Sequence, residues 1–201
     1  MKKIAEIRIT EAVWPEDRAP IARLMREYVE ALEADISFQD FESEHAGLPG
    51  KYARPEGVVL IGRTADEAVG IAAYRPFEHC ICEMKRLYVL PRFRGTGLGR
   101  LLVEELVRDA RSHGYRRMVL DTLPSMRPAQ AVYSAMGFQP IPAYYDNPLT
   151  GVVKHSASDT ARRIGLHVGM SSSVVRPPQA RREKPRLSAF TSAWNSTASG
   201  R

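Results

Sequence analysis

The stretch Arg92-Phe-Arg-Gly-Thr-Gly-Leu-Gly-Arg-Leu-Leu102 sets three glycines at alternate positions among three arginines, then runs into an aliphatic segment. The residues before it, CICEMKRLYVL (80–90), form an apolar run closed by Pro91, as a strand does. Those after it place Leu98, Leu101, Leu102 and Leu106 at helical spacing, turn Glu104 and Glu105 to the other side, and end at Gly114 as a C-terminal cap. The loop is therefore a strand-to-helix junction. Glycines there let successive backbone N–H groups converge on an anion, and the helix N-terminus adds the positive end of its dipole. The implied ligand is phosphorylated. The alternative is a tight turn with no ligand, for which three glycines are entropically expensive.

Two familiar phosphate devices do not match. A P-loop needs G-x-x-x-x-G-K-[ST], whereas Gly95, Gly97 and Gly99 stand too close together and no Lys-Ser/Thr pair follows. A dinucleotide fingerprint needs G-x-G-x-x-G after the first strand, and this spacing is G-x-G-x-G after a late one.

Working outward, KKIAEIRIT alternates from Ile4 as a half-buried strand does. WPEDRAPIARLMREYVEALEA then puts Ile21, Leu24, Met25, Tyr28, Val29 and Leu32 on one helical stripe, with acids in the first turn. DISFQDFESEHAGLPGKYARPEG predicts one short helix among turns. VVLIGR and AVGIAAYRPF read as a hairpin joined by TADE. Beyond the glycine loop, RRMVLDTL is a strand, RPAQAVYSAM a short helix stopped by Gly137, and FQPI the start of another strand. The order β, helices, ββ, β, α, β, α, β describes a mixed α/β domain.

Arg94-Gly95-Thr96-Gly97-Leu98-Gly99 reads as Arg/Gln-x-x-Gly-x-Gly/Ala and resembles the pyrophosphate loop of the GNAT family of N-acetyltransferases. The resemblance extends to the preceding LYV and to the later Tyr133-Ser-Ala-Met-Gly-Phe138, and covers about residues 3 to 153. It implies the acyl-CoA N-acyltransferase fold, a mixed and mostly antiparallel central sheet with splayed middle strands flanked by helices. It also implies acetyl-CoA as co-substrate, without a metal, and a primary amine of a small molecule or amino acid as acceptor. By the same resemblance Arg94, Gly95, Thr96, Gly97, Leu98, Gly99 and Arg100 hold the diphosphate. The main chain of Leu87, Tyr88 and Val89 holds the pantetheine arm, and a homodimer is compatible with the family. Met126 departs from it, standing where many relatives carry an asparagine that contacts the coenzyme.

Acetyl transfer to an amine requires a base and an acid. An alkyl ammonium of pKa ~10.4 must lose a proton, and a departing thiolate of pKa ~8.5 gains one. The ammonium alone lies about 3.4 units above neutrality, or roughly 4.6 kcal/mol. Glu83 is the candidate base; on a period-two strand it shares a face with Lys85, Leu87 and Val89, and its alternative role is to pair with Lys85 or Arg86. Tyr133 is the candidate acid, its alternative a place in the packed stripe of Ala129, Val132 and Met136. Asp35, Asp40, Glu42 and Glu44 either favour a cationic acceptor or form a solvated acidic surface, and Tyr144 and Tyr145 suggest an aromatic wall. A non-catalytic acyl-CoA sensor would need the glycine loop but neither Glu83 nor Tyr133.

Composition limits the other classes. The chain has 201 residues, 44% hydrophobic and 26% charged, as in an ordinary globular protein with one main domain. Its charge of +6 is carried by the C-terminal part, since residues 154–201 hold nine Lys and Arg against two Asp and Glu. Residues 1–153 keep 20 basic and 21 acidic residues, so the folded part is not expected to bind nucleic acid. No run approaches a membrane span or a signal peptide, and a cytoplasmic location is expected. Cys80 and Cys82 would point the same way on one strand and read as reduced; with His79 they lack a second ligand pair for zinc. Residues 154–201, rich in serine and arginine, read as a disordered tail; only VVKHSASDTARR follows YYDNPLTG, which predicts a shortened last strand.

Overall fold

The computed structural model describes residues 6–32, 40–145, 152–158 and 174–175, the last pair and Ser158 by backbone alone. Strand β1 (Ile7–Glu11) is followed by helix α1 (Arg18–Glu30) and the short α2 (Phe41–Ala46). After a 3-10 turn at Gly50–Tyr52 come β2 (Val58–Arg63), β3 (Ala68–Glu78) and β4 (Ile81–Val89). Helix α3 (Leu98–Ser112), β5 (Arg117–Thr122), α4 (Arg127–Ala135), β6 (Gln139–Ile141), β7 (Val153–Ser158) and β8 (Val174–Val175) complete the order. The start expected at Ile4 lies outside the described residues. Helix α1 begins later than its acids: Asp17 precedes the first turn, accepts the Val13 amide at 2.8 Å and pairs with Arg63 at 2.5 Å.

The strands form a single sheet in the order β6-β7-β5-β4-β3-β2-β1-β8. Of these pairings only β4 with β5 is parallel, as a strand-helix-strand crossover requires. Pairing there runs from Ile81↔Arg117 to Glu83↔Val119 and stops, although β4 continues to Val89 and β5 to Thr122. The two middle strands therefore part beyond Glu83, leaving one edge of β4 free of a neighbouring strand.

The helices cover opposite faces. On α3, Leu98, Leu102, Val103, Leu106 and Ala110 are buried, each large side chain contributing about 1.5–3 kcal/mol. This helix lies so close to β3 that a Cβ at Gly70 would sit 3.2 Å from both Leu98 and Leu102. Its far half is fixed by Asp109, which accepts from the Tyr74 hydroxyl at 2.6 Å and from Arg54; Arg54 also pairs with Glu11 at 2.7 Å. Helix α1 packs on the other face, with Tyr28 edge-on to Tyr88 at 6.2 Å between ring centroids.

Three expectations need correction. Strand β7 is neither two valines long nor shortened: six residues pair with β5 from Thr122↔Val153 to Arg117↔Ser158, and β6 pairs along its other edge. Lys154 and His155, assigned by composition to the tail, are buried in it. Cys80 and Cys82 do not share a strand, because Cys80 occupies the β3–β4 turn at φ 57°; both thiols are free. The period-two reading of β4 fails at Arg86. Ala73↔Lys85 is followed by Ile71↔Tyr88, so three steps on β4 match two on β3, and Arg86 takes the left-handed φ of 59° at this bulge. The face of Glu83 and Lys85 therefore continues through Tyr88, not through Leu87 and Val89.

Candidate active site

The glycine loop connects β4 to α3. Gly95 and Gly97 have φ of 77° and 89°, a region that any side chain strains, and Gly97 is the N-cap of α3. A Cβ at either would meet nothing within 4 Å; at Gly99, already inside the helix, it would meet only Val89 at an ordinary 3.8 Å. Internal packing therefore explains none of the missing side chains. The loop is held from beneath, Thr96 Oγ1 donating to the Phe93 carbonyl at 2.7 Å. Among the described residues no backbone carbonyl takes the amides of Gly95, Thr96 or Gly97. Free amides, an open face and a helix N-terminus make a cradle suited to an anion.

The cations around the loop are partly engaged. Arg94 donates from Nε to the Val89 carbonyl at 3.1 Å and lies over the Tyr88 ring at 5.8 Å. Arg92 pairs with Glu67, and Arg100 pairs with Glu104 at 2.7 Å. Both ion pairs are solvated, so little energy opposes the turning of Arg92 and Arg100 toward an anion. Leu87 and Val89 are half-buried where β4 has lost its β5 neighbour, and Val89 still pairs with Gly70 of β3.

Where β4 and β5 separate, the α1 face of the sheet carries a buried chain of charges. Glu83 is 1% exposed; its Oε2 accepts from Arg75 at 2.9 Å and its Oε1 from Lys85 at 3.0 Å and from the Tyr144 hydroxyl at 3.2 Å. Lys85 also reaches Asp121 at 3.2 Å, and the Tyr145 hydroxyl bonds the other oxygen of Asp121. Burial opposes ionisation of Asp121, but Lys85, Tyr145 and Lys154 outweigh it and hold its pKa below the usual value. Glu44 of α2 accepts from Arg86 Nε at 2.7 Å and from the Tyr52 hydroxyl at 3.0 Å. The guanidinium of Arg86 faces the rings of Phe41 and Tyr28, at 5.3 and 5.8 Å. Lys154 Nζ lies 3.3 Å from the Tyr145 ring centroid, and burial lowers its pKa.

Both candidate catalytic side chains are thus buried near the split, in different surroundings. Tyr133 of α4 packs against Phe138 and His155, at 5.7 and 6.2 Å, and burial raises its pKa. Met126 is the N-cap of α4 without a side-chain cap bond. Among the expected acceptor acids, Glu44 is consumed by Arg86 and Tyr52, and Glu42 pairs with Arg26 at 2.5 Å on the surface. Asp40 is exposed beside α2, and Asp35 lies outside the described residues. The aromatic wall is present: Tyr144 and Tyr145 stand edge to face at 5.1 Å, with Phe77 also 5.1 Å from Tyr144.

Sequence reasoning missed Arg75, Arg86, Asp121 and Lys154. Arg86 enters the cluster only because the bulge rotates it inward. Asp121 and Lys154 meet it as cross-strand partners once β7 inserts between β5 and β6.

A sheet split between parallel middle strands, with an anion cradle at the start of the crossover helix, defines the acyl-CoA N-acyltransferase architecture. Residues 19–138 match the acetyltransferase (GNAT) family. An uncharacterised N-acetyltransferase of Schizosaccharomyces pombe is 40% identical over 158 residues, covering 76% of this chain and 95% of that protein. One from Escherichia coli is 31% identical over 133 residues, covering 63% and 78%. Among solved structures, a GNAT acetyltransferase of Staphylococcus aureus superposes with a TM-score of 0.62 at 15% identity, covering 76% of this chain and 99% of that one. A Salmonella typhimurium protein solved with acetyl-CoA superposes with a TM-score of 0.56 at 20% identity, covering 78% and 96%. The chain belongs to the GNAT acetyltransferase family.

Proposed function

We propose that this protein is an acetyl-CoA-dependent N-acetyltransferase acting by direct attack of a primary amine. The observation that carries this reading is the open glycine loop at Gly95–Gly99, where a side chain would meet nothing at Gly95 and Gly97 and only an ordinary contact at Gly99. The amides there, with Arg94 and Arg100 released from Val89 and Glu104, would hold the diphosphate, and the unpaired edge of β4 at Leu87–Val89 the pantetheine arm. Acetyl-CoA, when bound, supplies the acyl group as a thioester.

The residues around the split manage the protons. Glu83 takes a proton from the acceptor ammonium through the Tyr144 hydroxyl, which already donates to it. The nitrogen–carbon bond forms and the carbon–sulfur bond breaks. Tyr133 donates its proton to the departing sulfur and recovers one from the acylated nitrogen. The buried phenol is protonated at neutral pH and so carries the proton it donates. The surrounding ion pairs fix Glu83 in one orientation and exclude water from it.

Thiol release from acetyl-CoA over a panel of amines tests this assignment. Glu83→Gln is expected to lower kcat by about 10²-fold, within the range of general base catalysis. Tyr144→Phe should produce a smaller loss of the same kind, and Tyr133→Phe should slow release of the thiol. Unchanged kcat in both Glu83→Gln and Tyr133→Phe contradicts these roles. One observation favours a second reading, a non-catalytic acyl-CoA binder: both Glu83 oxygens are already engaged by Arg75, Lys85 and Tyr144. That reading predicts coenzyme binding with no thiol release from any amine.

A further inference from the structure

The charged chain on the α1 face does not balance. Arg75, Lys85, Arg86 and Lys154 face the carboxylates Glu44, Glu83 and Asp121. Every one of these carboxylates already accepts from at least two groups: Glu83 from Arg75, Lys85 and Tyr144, Asp121 from Lys85 and Tyr145, and Glu44 from Arg86 and Tyr52. Two cationic donors are left over. Among the described residues Arg86 Nη2 and Lys154 Nζ find no acceptor, and both are buried, the Arg86 side chain 2% exposed and Lys154 4%.

Such donors are costly in a protein interior, where a buried N–H without an acceptor loses its hydration and gains no partner. Aromatic rings beside both, Phe41 and Tyr28 for Arg86 and Tyr145 for Lys154, offer only partial compensation. Arg86 sits on the β4 bulge, three residues beyond Glu83 on one side of the split, and Lys154 lies on β7, opposite Asp121 of the β5 strand that forms the other side. Among the described residues, the side of the site that receives the acceptor therefore sets four basic side chains against three carboxylates, the reverse of what a purely cationic amine would select.

We propose that the acceptor is an amino-carboxylate, its carboxylate completing the donor set left open by Arg86 and Lys154 while its amine faces Glu83 and Tyr144. This rests on the acetyl-transfer reading above and narrows its substrate class. The pairing would be charge-assisted and, at Arg86, shared with Glu44 through a different nitrogen of the same guanidinium. Tyr144 and Tyr145 would then flank the substrate backbone and exclude water from the pair.

The test compares each of three amino acids, alanine, leucine and phenylalanine, with its decarboxylated amine and its primary amide, measuring thiol release from acetyl-CoA. The amino acids are expected to show at least tenfold higher kcat/KM than either counterpart, and Lys154→Met and Arg86→Lys to raise KM for the amino acid about tenfold, erasing that preference. Equal or better use of the amines or amides overturns the inference and leaves acetyl transfer standing. If no amine is turned over, the acetyl-transfer reading fails on its own, and thermal melts with coenzyme A decide the binding claim. Stabilisation by the amino acids but not by their amides, lost in Lys154→Met, supports it; no difference between them overturns it.

Discussion

Gly99 stands inside the first turn of α3 with room for a methyl group, yet has none. In a helix, glycine is about 1 kcal/mol worse than alanine, so its presence needs a cause outside the fold. In the proposed function a diphosphate lying against the main chain would supply that cause. Gly99→Ala is accordingly expected to leave thermal stability unchanged or to raise it by about 2–4 °C, while weakening coenzyme A binding at least tenfold by calorimetry. Lower stability with unchanged affinity would reverse the argument. Gly97→Ala differs, because at φ 89° the new side chain strains the backbone whatever space surrounds it. A loss of roughly 1–2 kcal/mol, or about 2–8 °C in Tm, is expected there even without ligand. Arg86 shows the same strain tolerated for a purpose, held at φ 59° by its buried ion pair with Glu44 and by two aromatic rings.

At the scale of elements, the strand-loop-helix unit β4–α3 was legible in the sequence because three signals coincide: an apolar run ended by Pro91, alternating glycines, and leucines at helical spacing. The hairpin β2–β3 and the helices α1 and α4 were legible for similar reasons. Two elements were not. The β4 bulge leaves no mark in the pattern CICEMKRLYVL, since an inserted residue changes facing without changing composition. Strand β7 reads VKHSAS, too polar for a central strand, because Lys154 is accommodated by tyrosine rings and His155 by Tyr133. Polar residues that find such partners escape any rule based on hydrophobic alternation. The site was legible to the same extent: the cradle and the positions of Glu83 and Tyr133 follow from motif spacing, whereas the charge cluster depends on β7 and on the bulge. Shortening the chain separates strand from tail. Removing residues 176–201 is expected to leave Tm within about 2 °C, whereas removing 153–201 strips the partner from both β5 and β6 and should lower Tm by more than about 10 °C. Equal effects of the two deletions would contradict the role given to β7.

For the whole molecule, one division governs the rest. The sheet is continuous from β8 to β4 and from β5 to β6, and opens between β4 and β5 past Glu83. The opening exposes the β4 edge, brings the start of α3 to its rim, and gathers the charged residues of β3, β4, β5 and β7 on one face. The basic excess of the sequence plays no part in this, since it falls in residues 154–201 and the remainder is nearly neutral. In the proposed function coenzyme recognition is therefore local, made by main-chain amides and a helix terminus, and not by a broad positive field.

That claim is tested most directly by calorimetric titration of the full-length protein with coenzyme A and, in parallel, with pantetheine, which shares the thiol arm but lacks the diphosphate. Saturable heat is predicted for coenzyme A, with pantetheine binding at least 100-fold more weakly. No heat with coenzyme A, or equal affinity for the two, would contradict it.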